Sequence, residues 1–434
     1  MQNDPYLTAI DIGSNSIKLA VVKDSLDEQN KVQVLALVER SSNGFRRGVI
    51  TNMTDATDAL VDTINQAENI VGLPIKDGVV GVNGTSITFT NSEGVVIISN
   101  SDNEITDNDI QRVIQDSLNK AFGVTNSEII HVIPKNFSVD NQSGILYPQG
   151  MVGSKLEVKS LIISCESSYL RNFSKVITQS EVEIVDRVFT PLASSNFILT
   201  QRQKKAGTAL IDLGSASTSF IVWENEEIVG SGVIPIGSDH ITQDLAVGLQ
   251  TNIEMAEEIK RIHLNLSDDF SLDGDVDIVE IFNPDLQVNE QFKKEDIIQF
   301  AKPRVEEIFL YLSKELRKMG NSTLPGGGVL IGGGAALSGI EDVAKSVLKQ
   351  PVFKYIFDRK YIEFVPDYND DPTFVNAISL ASHTLIHTGE KNYNTFNSAF
   401  NSRNNQSNHS GSRSTGTAPT NSIKEFMKKL LPWN

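Results

Sequence analysis

AIDIGSNSIKLAVV (residues 9–22) and ALIDLGSASTSFIV (residues 209–222) follow one plan. Each is an apolar run, then Asp-(Ile/Leu)-Gly-Ser, then a second apolar run. The pattern predicts two strands joined by a tight turn. The glycine lets the backbone bend and approach a ligand with no Cβ in the way. Amides and hydroxyls around such a turn can cup an anion. An Asp at the strand end adds a hard oxygen suited to Mg²⁺ through its waters. One copy alone is also what an ordinary hairpin looks like. Two copies in matching contexts point to a polyphosphate gripped between two halves, with Asp11 and Asp212 both near the metal.

The rest of the chain repeats the same logic. LTAID, IKLAVV and VQVLALVER read as three strands, followed by a helix over TDATDALVDTINQAENIVG with Ala56, Leu60, Ile64 and Ala67 at helical spacing. VVGVNG reads as a strand, ITFTNSEGVVIIS as a hairpin, and DNDIQRVIQDSLNKAFG as a helix capped by Thr106. EIIHVIPKNFSVD and LEVKSLIISCES are strand-like, and SSYLRNFSKVITQS is helical. GTALIDLGSASTSFIVWENEEIVGSGVIPIG then gives three strands again. ITQDLAVGLQTNIEMAEEIKRIHL and KKEDIIQFAKPRVEEIFLYLSKELRKMG are helical, and VLIGGGAALSGI (329–340) is a strand, a glycine turn and a helix start. The result is a duplicated α/β domain pair and not a short-period solenoid.

Composition narrows the function. The 434 residues are 39% hydrophobic and 21% charged, which suits a globular chain of two or three domains. A net charge of −17 argues against non-specific nucleic-acid binding, so no nucleic-acid partner is expected. The only cysteine, Cys165, lies in the apolar stretch LIISC and reads as a buried thiol in a reducing cytosol. MQNDPYLTAI has no signal-peptide pattern, and no apolar run is long enough to span a bilayer. His131, His240, His263 and His383 show no metal spacing. The acidic run 267–280 lacks the calcium-loop pattern and reads as a solvated loop.

A third element supports a nucleotide. Gly332, Gly333 and Gly334 permit close approach to a flat base or ribose. No Gly-Lys-Ser/Thr follows, so the motif is not a Walker loop. Two aspartate turns followed by a glycine-rich turn resemble the actin, heat-shock chaperone and sugar-kinase superfamily. Within it the chain resembles the FtsA cell-division family, through GFRRGVITNM (44–53), HVIPKNFSVDNQSGI (131–145), PLASSNFILT (191–200), IPIGSDHITQDLAVGLQTNIEMAEEIKR (234–261), KPRVEEIF (302–309) and IGGGAALSGI (331–340).

The resemblance implies an actin-like fold with two RNase H-like domains around a cleft that binds ATP and Mg²⁺. It implies subdomain 1A over 1–84, 163–196 and 366–387, and an inserted subdomain 1C over 85–162. Subdomain 2A covers 197–244 and 328–365, and subdomain 2B covers 245–327. Asp11, Gly13, Ser14, Asn15 and Ser16 are implied to form the first phosphate turn, with Lys18 reaching the β-phosphate region. Asp212, Gly214, Ser215, Ala216 and Ser217 form the second, where Phe220 is expected to hold the place of Lys18. Glu257 and Lys260 are implied to meet the ribose and base edge; without the resemblance they read as a solvated helix face. Gly332, Gly333, Gly334 and Ala336 are implied to line the adenine slot. Relatives that hydrolyse ATP usually carry a Glu where this chain has Thr190. ATP binding is expected, with slow turnover, because phosphoryl transfer depends on positioning the attacking water.

After residue 388 the sequence turns to Asn, Ser, Gly and Thr, a composition that cannot bury enough apolar surface to order itself. This predicted linker (388–420) leads to SIKEFMKKLLPWN within 421–434. There Ile423, Phe426, Met427, Leu430 and Leu431 form one apolar stripe, opposite Lys424, Lys428 and Lys429. Ser422 and Glu425 fit a capping box, Pro432 ends the helix, and Trp433 suits a lipid–water boundary. The pattern predicts an interfacial helix on an anionic membrane surface; docking in a partner's groove is the competing reading. The family resemblance implies a filament-forming adaptor. It would act at the division site, on the inner face of the cell membrane, tether the FtsZ C-terminal peptide through subdomain 2B, and recruit later division proteins through subdomain 1C. An exopolyphosphatase-like enzyme and a pilus-assembly adaptor are the alternatives.

Overall fold

The computed structural model describes residues 6–388 apart from 25–30, 47, 122–125, 268–276, 284–286, 321–322, 360 and 365–370. The linker and the amphipathic segment, with all nine of their candidate membrane residues, lie outside the described residues.

The chain opens with the expected antiparallel meander β1 (Tyr6–Ile12), β2 (Ser16–Asp24) and β3 (Val32–Ser41). A small hairpin of β4 (Phe45–Arg46) and β5 (Val49–Ile50) leads into α1 (Met53–Val71). Asn52 caps α1 through Thr54 and Asp55, and left-handed Gly72 ends it. The predicted apolar positions of α1 are all buried. Strand β6 (Asp77–Val82) then pairs in parallel with β1.

An insertion follows: β7 (Ile87–Ile97), α2 (Asp107–Ala121), β8 (Ser127–Val139), β9 (Gln142–Ile145) and β10 (Lys155–Glu166). Its four strands form a separate sheet in the order β7-β10-β8-β9. Thr106 and Asp109 form the cap of α2, as the sequence predicts. The expected hairpin at ITFTNSEGVVIIS is instead one continuous strand, paired with β10 from Ile87–Cys165 to Ile97–Lys155. Gly94 marks a close helix approach and not a turn. A Cβ there would stand 1.9 Å from the carbonyl oxygen of Val113 on α2.

The chain returns through α3 (Ser167–Gln179), β11 (Glu183–Phe189) and α4 (Thr190–Ile198). The second half runs α5 (Gln201–Ala206), β12 (Thr208–Leu213), β13 (Thr218–Glu224), β14 (Glu227–Ile234), α6 (Ser238–Leu249) and α7 (Ile253–Glu258). Then come β15 (Ile278–Asn283), β16 (Val288–Lys293), α8 (Lys294–Lys318), β17 (Gly327–Ile331), α9 (Ile340–Leu348) and β18 (Val352–Lys354). Strand β19 (Ile362–Phe364) and α10 (Val375–Thr388) close the described chain.

The sheet orders expose the duplication. The first is β11-β6-β1-β2-β3-β19 and the second is β18-β17-β12-β13-β14. In both, an antiparallel meander is extended by two parallel strands on the side of its first strand. β19 adds to β3, so the chain crosses back to the first half before it ends. The halves have largely separate apolar cores, and the insertion has a smaller core around Ile110, Val113, Ile114 and Phe137.

Gly94→Ala should lower the denaturant midpoint, with a loss of about 1–3 kcal/mol from overpacking the α2–β7 contact. An unchanged midpoint would show that the helix stands farther from the strand.

Candidate functional site

Both aspartate turns fold alike. In each, the glycine N–H donates to the serine carbonyl three residues on, Gly13 to Ser16 and Gly214 to Ser217, both at 3.0 Å. Asp11 pairs in register with Lys18, and Asp212 with Ser219. Ser219, not Phe220, therefore holds the place of Lys18. Phe220 is the next residue, points to the other face, and is fully buried.

The two aspartates meet between the halves. Burial pushes Asp11 up to about 6, while Lys18 pulls it down. Burial and the charge of Asp11 together push Asp212 up to about 7. Asp212 is held by amides from the first half: Asn376 Nδ2 donates to its Oδ2 at 2.9 Å, and Asn83 Nδ2 approaches the same oxygen at 3.4 Å. Asn376 is fixed by Ser194 Oγ on α4 at 2.8 Å, and Asn83 by Ser219 Oγ at 2.6 Å. Lys18 ion-pairs with Glu39 at 2.9 Å, donates to Ser16 Oγ at 2.8 Å, and stands 6.0 Å from the ring centre of Phe374.

The glycine turn sits on the second aspartate. Gly332 adopts φ +87°, and a Cβ there would stand 2.3 Å from Asp212 Oδ1. Gly334 packs on Leu213, while Gly333 faces open space and Ala336 is exposed. The second phosphate turn is tied to the N-terminus of α6. Ser238 and Asp239 donate backbone N–H groups to Gly214 and Ser215, and Ser215 Oγ donates to Asp239 at 2.6 Å. One helical turn on, Thr242 donates to Glu257 at 2.6 Å. Lys260 donates to Thr242 at 2.8 Å and ion-pairs with Glu257 at 2.6 Å. Lys260 lies in a π-turn (Ile259–His263) and is 4% exposed, so it is no solvated face.

Thr190 opens α4 with its hydroxyl buried and without a hydrogen-bond partner among the described residues. A Cβ on Gly81 would stand 2.6 Å from that hydroxyl and 3.2 Å from Asp11 Oδ1, so both flank one small space. The donor set around the aspartates is oxygen-rich, which suits a hard cation. Among the described residues no cluster of three or more His, Cys, Asp and Glu is placed to hold a metal directly. Elsewhere Cys165 is buried and its thiol is pushed up to about 12 by desolvation, as a structural thiol should be.

Sequence reasoning missed Asn83, Ser219 and Asn376. Asn83 carried a usable signal, since it ends a parallel strand, where open α/β sheets place ligands. Asn376 carried none.

The family model "SHS2 domain inserted in FTSA" matches residues 84–164, and "Cell division protein FtsA" matches residues 209–379. The chain is 33% identical to the Cell division protein FtsA of Bacillus subtilis, over 81% of this chain and 79% of that protein. It is 30% identical to the Borreliella burgdorferi protein of the same name, over 86% and 89%. The chain belongs to the FtsA cell-division family. Its fold is actin-like. A solved PilM–PilN type IV pilus biogenesis complex superposes with a TM-score of 0.62, over 87% of this chain and 97% of that one, at 15% identity. That is a likeness of fold only. Family membership favours the division-protein reading over the phosphohydrolase and pilus-adaptor readings. Among the described residues no helix is long and apolar enough to cross a membrane.

The raised carboxyls set a pH dependence. A carboxyl that titrates higher folded than unfolded contributes stability at low pH and loses it as pH rises through its folded value. With no nucleotide or divalent cation, the melting temperature should fall from about pH 4 to about pH 7, and Asp212→Asn should flatten that slope. Equal slopes would mean that burial does not raise the Asp212 carboxyl.

Proposed function

We propose that this chain binds ATP with Mg²⁺ between its two aspartate turns, polymerises, and links the FtsZ ring to the inner face of the cell membrane. The convergence of Asp11 and Asp212 from duplicated hairpins, with Gly332 laid against Asp212, carries the nucleotide reading. In this reading Mg²⁺ supplies charge neutralisation for the phosphates. The chain's own groups do the gripping: the Gly13–Ser16 and Gly214–Ser217 turns face the phosphates, and Lys18 adds a cation. Gly333 and Ala336 leave room for the base. Glu257 stands at the ribose side, braced by Lys260 and Thr242.

Thr190 supplies no carboxylate to orient water, so the cleft holds ATP and turns it over slowly. Thr190→Glu should raise phosphate release if the site is otherwise competent; unchanged release would place the defect elsewhere.

The membrane role rests on the sequence of residues 421–434 and on the family. A lone helix of that size binds reversibly, and a filament carrying many of them binds tightly by avidity. Subdomain 2B is proposed to take the FtsZ C-terminal peptide, and the insertion to take later division proteins. Anionic vesicles incubated with ATP-Mg²⁺ and FtsZ test the whole. Full-length protein should bring FtsZ to the vesicles, and a 1–420 truncation should not. Equal recruitment by both would remove the tail from the function. Rapid phosphate release from polyphosphate with no binding of ATP would restore the enzyme alternative.

A further inference from the structure

The insertion leaves the first half directly after Asn83, and Asn83 is itself part of the cleft. Its Oδ1 accepts from Ser219 Oγ at 2.6 Å and from the N–H of Gly84 at 2.8 Å, while its Nδ2 faces Asp212 Oδ2 at 3.4 Å. The root of the insertion thus touches the aspartate of the second half and the strand β13 beside it.

A second tie lies one strand over. The β13–β14 ladder slips between Val222, which pairs with Gly230, and Trp223, which pairs with Ile228. Val229 is left as a bulge without a partner in the ladder. Its carbonyl accepts from Lys135 Nζ, on β8 of the insertion, at 3.1 Å. Lys135 also donates to Asn91 on β7 at 3.0 Å, which fixes its direction. Beside it, Asn136 hydrogen-bonds Glu227 at the start of β14. The insertion is therefore fastened to the second half at the cleft floor and at a bulge on the edge strand, although the chain attaches it to the first half alone.

A hydrated cation beside Asp212 would compete, through its waters, with the Asn83 amide for that carboxylate. Such competition would make the contacts at the root of the insertion differ between the empty and the loaded cleft, which is what a ligand needs in order to bias a conformation. We propose that the inserted subdomain reads the cleft: binding of a divalent cation and nucleotide at Asp212 releases Asn83 and reseats the insertion on β14. The surface it offers to partners then depends on nucleotide state. This rests on the nucleotide reading above.

Val152 in the insertion and Val247 on α6 are 69% and 79% exposed and accept labels. Cys165 is buried, so the native thiol does not compete. A full-length Val152→Cys/Val247→Cys protein carrying spin labels gives the distance between the insertion and the second half, with ATP-Mg²⁺ binding measured on the same samples. ATP-Mg²⁺ is expected to shift the distance distribution. Asn83→Ala, or the milder Asn83→Ser, should show the shifted distribution with no ligand. Lys135→Met should broaden it in both states and leave ATP-Mg²⁺ affinity unchanged. Saturating binding with no shift, or Asn83 variants that match the parent in both states, would overturn the proposal. Absence of binding would remove the nucleotide reading, and the proposal with it.

Discussion

Two carboxylates that repel each other share the floor of one cleft, and the architecture is arranged around keeping them there. Each half delivers its aspartate at the end of its first strand, just before a glycine turn. Desolvation disfavours charge on both, and the charge of Asp11 disfavours it further on Asp212, which pushes them up to about 6 and about 7 from the usual ~4. No lysine or arginine forms an ion pair with either among the described residues. Carboxamides hold Asp212 instead, and amides satisfy an oxygen without neutralising it. A site built this way keeps its demand for positive charge open.

That arrangement explains the surrounding choices of small residues. Gly332 has no Cβ because Asp212 occupies the place where one would go. Gly81 leaves room for Asp11 and the hydroxyl of Thr190. Thr190 adds no further negative charge to the crowded floor. Asn83 and Asn376 carry the first half's hydrogen bonds onto Asp212 across the cleft, and the proposed function would act through them.

Much of this was legible in the sequence because it is local. Strand–turn–strand at 9–22 and 209–222, the stripe of α1 and the cap of α2 all depend on residues within a few positions of one another. The failures were of two kinds. Asn-Ser-Glu-Gly has turn composition, yet eleven paired residues against β10 and a helix packed on Gly94 make it strand. Tertiary pairing outweighed local preference there. Asn83 and Asn376 lie far along the chain from Asp212, and nothing local announces that three segments converge. Phe220 and Ser219 differ by one step of strand register, and one step moves a side chain from the cleft to the core.

The most direct measurement is equilibrium binding of ATP, with and without Mg²⁺, to the full-length protein and to Asp11→Asn, Asp212→Asn and the double variant. On the proposed function, in which the two carboxylates share one hydrated cation, Mg²⁺ should strengthen ATP binding to the parent. Each single variant should lose much of that gain, and the double variant should lose little more than either alone. Equal affinity with and without Mg²⁺, or variants that bind as the parent does, would contradict a nucleotide clamp at these two turns.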